Sequence, residues 1–275
     1  SSFVDDLEIA LSLHPEIDSR FLQLEILESS ALGDLQSISR IIESCVTTLG
    51  VRIALDDFGT GYSSLTHIRN LPVQTIKIDQ TFVRDMLEDP GDYAIIEGVI
   101  GLADAFNRDV IAEGVETVDH GIMLLLMGCQ QAQGYIIAKP IPADDFPAWL
   151  INYIPNDKWG YFGGQDYTSK QTKKNLLKLS LKQWQILFEQ NIQAPPEDIV
   201  RWPILNKTRC HCGVLIKRAM QDHLFEDKWL TQLKLAHESM HTIANNSYMQ
   251  YQDGHLKDAR RGLIDIQAAI DHMTT

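Results

Sequence analysis

The stretch VRIALDDFGTGYSSLTHIRNLPVQTIKID (51–79) decides the fold. It holds two short apolar segments, VRIALDDF (51–58) and TIKID (75–79), with a helix-length stretch between them. Runs of this length, rich in branched aliphatic residues, read as strands rather than helices. The same unit recurs outward in both directions. FLQLEIL (21–27), DVIAEGV (109–115) and QAQGYII (131–137) are further strands, and 34–49 and 92–106 are helices. The first of these helices has apolar residues at Leu35, Ile38, Ile41, Ile42 and Cys45. Alternating strands and helices imply a parallel sheet with helical crossovers. Glu25, Asp56, Asp57, Asp79, Glu113 and Gln133 fall at or near the C-terminal ends of the strands, which in a (β/α) barrel is the functional face. Five strands cannot close an eight-stranded barrel. The expectation is an α/β fold, an incomplete TIM-like (β/α) barrel whose missing strands precede Ser1.

Composition divides the chain. Of the net charge of −13, residues 1–155 carry −16 and the remainder +3. This acidity argues against binding a nucleic-acid polymer. Residues 151–175 gather Pro, Gly, Asn and Lys and read as a linker. Beyond it, helical patterns at 176–191, 207–221, 225–250 and 255–273 suggest an all-α four-helix bundle over 176–275. No apolar run of about 20 residues spans a membrane, and the acidic start is no signal peptide. The chain reads as cytoplasmic, where disulfides are rare, with Cys45 and Cys129 as buried thiols. It lacks an initiator Met and opens within a helical pattern, so it is expected to be part of a longer protein, which could be membrane-anchored through upstream segments.

Glu25, Asp56, Asp57 and Glu113, on successive strand ends, can converge on one site. Hard carboxylate oxygens suit Mg²⁺ or Mn²⁺, and two such ions can activate water and clamp a phosphate. A single strand-end acid is more often a cap. Four of them around one strand lysine, Lys77, are costly to bury without cations.

LEILE, ALDDFGTGYSSL, IKIDQTFV, VIAEGVET and QGYIIAKPIP, in this order, resemble the signature of EAL domains over residues 3–150. The resemblance implies hydrolysis of cyclic-di-GMP to pGpG with two Mg²⁺ or Mn²⁺ ions. It implies that Glu25 is a metal ligand, Asp56 a bridging ligand and Asp57 its partner. Lys77 would orient the attacking water, Glu113 would act at the water or metal as general base, and Gln133 would contact the metal–water cluster or the phosphate. Glu28 would anchor the loop Phe58–Leu65 through Ser63. That loop, with Gly59 and Gly61 supplying unusual backbone angles, would order the ligands and a homodimer contact. Asp79 and Glu116 would support the site or the substrate, and Pro140 would lie near a guanine. The family's first glutamate and an asparagine ligand belong before Ser1, so this polypeptide alone is expected to be inactive and its intact parent competent. Upstream GGDEF or sensor domains are the expected partners. The rival reading is a receptor that binds cyclic-di-GMP without cutting it.

In the C-terminal part, His237 and His241 stand one helical turn apart on one face, and a cysteine thiolate from a neighbouring helix could complete most of a tetrahedral zinc site. CHCG (210–213) followed by HESMH (237–241) resembles the chemoreceptor zinc-binding domain, with Trp184 matching an aromatic position. The resemblance implies Cys210, His237 and His241 as zinc ligands. Leu181 stands where that family has its first histidine, and Leu215 replaces the aromatic of the cysteine motif. The fourth position is left to Cys212, His211 or water, and a plain bundle is the competing reading. A zinc- or redox-responsive module controlling the phosphodiesterase is a third functional reading.

Overall fold

The computed structural model describes residues 2–31, 35–61, 65–164, 168–199 and 201–274. It divides into two compact units, Ser1–Arg84 with Asp92–Gly160, and Asp85–Gly91 with Tyr161–Thr275.

The first unit is a five-stranded parallel sheet: β1 (Gln23–Leu27), β2 (Arg52–Phe58), β3 (Thr75–Ile78), β4 (Asp109–Ala112) and β5 (Gln131–Ala132), in spatial order β1-β2-β3-β4-β5. The chain opens on α1 (Phe3–Leu13), whose start is set by a capping box. The Ser2 hydroxyl accepts from the Asp5 N–H, and the Asp5 carboxylate accepts from the Ser2 N–H. The pattern at the start therefore begins on its own cap. Every crossover is helical, which parallel pairing requires. α2 (Leu35–Ser44) joins β1 to β2, the short helix Leu65–Asn70 joins β2 to β3, α3 (Pro90–Ala105) lies between β3 and β4, and α4 (Val118–Met127) between β4 and β5. Ile53, Leu55, Ile76 and Ile78 are almost fully buried on the central strands, each contributing about 1.5–3 kcal/mol of transfer free energy.

The last two strands are shorter than the patterns 109–115 and 131–137 suggest. Backbone pairing continues one residue further, with the Glu113 N–H donating to Ile78 O and the Gln133 N–H to Ala112 O. Gly114 then turns the chain at φ +69°. Gly134 lies so close to the Val115 backbone that a Cβ there would sit 2.2 Å from Val115 N and O. The apolar run 135–137 consequently folds into a turn, with the Ile137 and Ala138 N–H groups donating to Gly134 O. Among the described residues the sheet has five strands and two open edges, β1 and β5.

The second unit contains α5 (Ser169–Gln193), α6 (His211–Gln221), α7 (Asp227–Gln252) and α8 (Leu256–Thr274). α5 starts earlier than its apolar pattern does, because Thr168 caps it by accepting from the Gln171 N–H. The stretch 151–175 also carries the helix Asp157–Gly163. Leu181, Phe188, Ile192, Met240, Ala244 and Ile266 form the centre of the helical core. α7 and α8 approach closely where Gly262 faces Ser247, since a Cβ there would meet the Ser247 hydroxyl at 2.0 Å. No helix among the described residues is long and apolar enough to cross a membrane.

Candidate active site and metal centre

Parallel strands put all their C-terminal ends on one rim. β2 delivers Asp56 and Asp57, β3 delivers Lys77, and the residues just past β4 and β5 are Glu113 and Gln133. Leu27 pairs with Asp56 and Ile78 with Ala112, so the register levels these side chains. Lys77 is buried, 4% exposed, at the centre. Its Nζ reaches Glu25 Oε1 at 2.8 Å, Asp56 Oδ1 at 2.8 Å and Glu113 Oε1 at 2.6 Å. Gln133 Nε2 donates to the same Glu113 oxygen at 2.6 Å. Asp56, Asp57 and Glu113 offer carboxylate oxygens all within 4.8 Å of one another. Glu25 joins them through Lys77 and is 47% exposed.

Electrostatics follow from this crowding. Burial opposes the charge on Lys77, but the hydrogen bonds it donates to Asp56, Glu113 and Glu25 outweigh it and hold its pKa above the usual lysine value. Burial raises Glu113 in spite of Lys77, with Asp56 and Asp57 adding to the rise. Asp57 is also raised, by desolvation first and then by Asp56 and Asp79. It holds φ at +53°, a left-handed conformation uncommon for a non-glycine residue. One ammonium thus faces four acids, a donor set that fits hard divalent cations.

Glu28 is buried and its Oε2 accepts from the N–H groups of Gly59 (2.9 Å) and Gly61 (3.2 Å), which holds the start of the loop after Asp57. Gly59 has φ +104°, whereas at Gly61 a Cβ would meet the Glu28 carboxylate at 2.9 Å. Ser63, the expected partner of Glu28, lies outside the described residues. Asp79 is buried and accepts from the backbone N–H (2.8 Å) and hydroxyl of Thr81, capping the helix that follows. Glu116 and Pro140 line a cavity of about 550 Å³ together with Glu113 and Gln133. Tyr135, Lys139, Phe146 and Trp149 line it too. The residue patterns did not single these out. The signal was their position beside the QGY and KPIP segments, with aromatic rings close to a cation.

In the second unit Cys210, His237 and His241 are all buried and converge. Cys210 Sγ lies 3.1 Å from His237 Nε2 and 3.2 Å from His241 Nε2. His241 Nδ1 donates to Leu205 O at 2.8 Å, which leaves Nε2 unprotonated and aimed at the cluster. Cys212 and His211 are not members of the group. Cys210 is the N-cap of α6 and its Sγ accepts from the Gly213 N–H at 3.3 Å. A helix start on its own lowers a thiol pKa. Burial outweighs the capping bonds and pushes it up to about 11. Burial also pushes His237 down to about 3 and His241 to about 4, so both rings are neutral and free to ligate.

The family model of the EAL domain matches residues 1–140, and the chain belongs to that family. It is 39% identical over 150 residues to the cyclic di-GMP phosphodiesterase PA2567 of Pseudomonas aeruginosa, covering 54% of this chain and 25% of that relative. It is 37% identical over 133 residues to the cyclic di-GMP phosphodiesterase PdeR of Escherichia coli, covering 48% of this chain and 20% of that protein. Among solved structures, the EAL domain of Mycobacterium smegmatis DcpA is similar at 37% identity and TM-score 0.52, over 56% of this chain and 68% of that one. The PaMucR phosphodiesterase in complex with c-di-GMP is similar at 37% identity and TM-score 0.50, over 52% and 57%. The chain spans about a quarter of the length of the curated relatives it matches.

Proposed function

We propose that the first unit supplies the active site of a metal-dependent phosphodiesterase that hydrolyses cyclic-di-GMP to pGpG. The observation that carries this is the buried ammonium of Lys77 bound to three carboxylates beside a cavity of nucleotide size. Asp56, Asp57 and Glu113, with Glu25, would hold Mg²⁺ or Mn²⁺. Bound there, such ions lower the pKa of water and neutralise phosphate charge.

The protein's own groups then have separable tasks. Lys77 holds Glu25, Asp56 and Glu113 in one constellation and leaves them little freedom to swing away. On Glu113, Oε1 is occupied by Lys77 and Gln133, so Oε2 is the oxygen left to take a proton. Its raised pKa moves it toward the range of a general base. Glu28 fixes the loop that follows Asp57, with Ser63 in that loop. Asp79 steadies the chain after Lys77. Along the cavity, Tyr135, Phe146 and Trp149 offer faces to a purine, Pro140 and Glu116 contact its rim, and Lys139 supplies charge for a phosphate. A homodimer through the loop Phe58–Leu65 and upstream GGDEF or sensor domains complete the reading. One relative, MucR of P. aeruginosa, is a bifunctional diguanylate cyclase/cyclic di-GMP phosphodiesterase.

The test is release of pGpG from cyclic-di-GMP in Mn²⁺, by a protein carrying residues 1–275 with any sequence that precedes them. Turnover abolished by EDTA supports the reading. Tight binding without turnover supports the receptor instead.

A second reading, for the helical unit, is a zinc centre held by Cys210, His237 and His241, of the kind found in chemoreceptor zinc-binding domains. The three converging donor atoms and the bond from His241 to Leu205 favour it over a plain bundle. One zinc per chain after dialysis is the expected result, and absence of zinc would leave a plain bundle.

A further inference from the structure

We propose that metal binding in the helical unit is relayed to the phosphodiesterase site through the segment Asp85–Gly91, with His211 as the relay residue. The relay rests on the zinc reading of Cys210, His237 and His241 and on the phosphodiesterase reading of the first unit. The segment follows directly on the active-site strand. Lys77 and Asp79 lead into the helix Gln80–Asp85, whose start Asp79 caps. Asp85–Gly91 nevertheless belongs to the helical unit. It is fastened there. Met86 and Leu87 are buried, and the His211 ring hydrogen-bonds to the Met86 backbone carbonyl, with Asp89 near enough to act on it electrostatically. Arg201 faces Glu88 at 3.9 Å. His211 is the residue after Cys210 and the first of α6.

Metal entry acts in a defined direction. Bonds of about 2.3 Å to sulfur and about 2.0 Å to nitrogen, disposed tetrahedrally, set the two donors about 3.5 Å apart. Cys210 Sγ lies 3.1 Å from His237 Nε2 and 3.2 Å from His241 Nε2. The sulfur gives way rather than the ring of His241, which is tied to Leu205 O and set against Trp184. A cavity of about 20 Å³ takes up the movement. Cys210, His211, Leu87 and Glu88 line it, and His237 and His241 do not, so it lies on the side of the sulfur away from the rings. Gly213 is pressed against Lys207, where a Cβ would meet the carbonyl oxygen at 2.0 Å, so the start of α6 shifts as one piece. Metal entry thus presses His211 onto the segment and tightens the chain that leads back to Asp79 and Lys77.

The test is amide hydrogen exchange of the whole chain, with and without one equivalent of Zn²⁺, read over residues 80–91. Zinc should slow exchange there at least about threefold, because local opening becomes harder. His211→Phe keeps the bulk of the ring and removes the donor, so it should still take up one zinc and lose the slowing. His211→Gln, which can donate again, should recover part of it. In the protein carrying this chain, assayed for pGpG release at saturating Mn²⁺, zinc should raise kcat at least about twofold and leave KM unchanged, since Lys77 and Asp79 are steadied. That rise should be absent in His211→Phe and in His237→Ala. Failure to take up zinc would overturn the zinc reading and the relay with it. Absence of turnover in every form would overturn the phosphodiesterase reading while the slowing still tested the contact of His211 with the segment. Uptake of one equivalent with unchanged exchange over 80–91, or with equal slowing in His211→Phe, would leave both readings standing and overturn the relay. An equal rise of kcat in His237→Ala would place the effect of zinc at the catalytic carboxylates and overturn it too.

Discussion

Lys77 shows how one buried charge can organise several others. Its ammonium is nearly inaccessible to solvent, yet three carboxylates compensate it. Replacing it with Met keeps the volume but leaves the acids facing one another. Loss of the partner from a buried ionic cluster costs about 3–5 kcal/mol. The exposure of Glu25 argues for the lower end of that range. Urea unfolding of Lys77→Met without divalent ions should therefore show a loss of about 3 kcal/mol. A loss below about 1 kcal/mol would mean that the cluster is not held by this ammonium. At this scale the sequence was informative about acids on strand ends, because strand termini can be read from local patterns. The sequence did not reveal the cavity wall. Tyr135, Phe146 and Trp149 reach it through turns and helix packing that no periodicity encodes. The raised pKa of the Cys210 thiol is not legible in the sequence, because it comes from burial rather than from the helix start.

Among the elements, β5 is the most instructive. Its apolar pattern promised seven residues and the sheet uses two, because Gly134 must pass against the Val115 backbone. Gly134→Ala would drive a Cβ into backbone atoms that cannot move without disturbing Gln133. We expect a loss of at least about 2 kcal/mol in unfolding free energy, in line with overpacking at a rigid site. Wild-type stability in that variant would show that the strand end can shift. In the helical unit, burial holds His237 at about 3 and His241 at about 4 in the metal-free protein, while an unfolded imidazole titrates near 6.5. The folded values lie below the unfolded one, so the unfolded chain takes up these protons first. The stabilising effect is complete above about pH 6.5 and is lost as pH falls from there toward about 3. With EDTA present, the melting temperature of the helical unit should drop across that interval. A flat profile would contradict the burial of these two rings. The four helices were legible from their apolar spacing. The earlier start of α5 was not, because it depends on the Thr168 cap rather than on burial.

For the whole molecule, the sequence divides into an acidic first part and a weakly basic second part, and the chain forms two compact units. Parallel topology followed from strand–helix alternation, since each crossover needs a helix's length of chain. The rim of charged residues followed in turn, because parallel strands place all their C-terminal ends together. The way Glu28 holds the loop after Asp57 could be anticipated only through family resemblance, because its contacts are to backbone N–H groups that any residue carries. The central claim is that Asp56, Asp57, Glu25 and Glu113 hold the divalent ions that cut cyclic-di-GMP. The direct measurement is pGpG release in Mn²⁺ by the protein carrying this chain, compared between wild type and Asp56→Asn. A neutral amide is a poor ligand for a divalent ion, and loss of roughly 3 kcal/mol of transition-state stabilisation corresponds to more than a hundredfold in rate. The account predicts metal-dependent turnover in the wild type and at least that loss in Asp56→Asn. Near wild-type turnover in Asp56→Asn would contradict it.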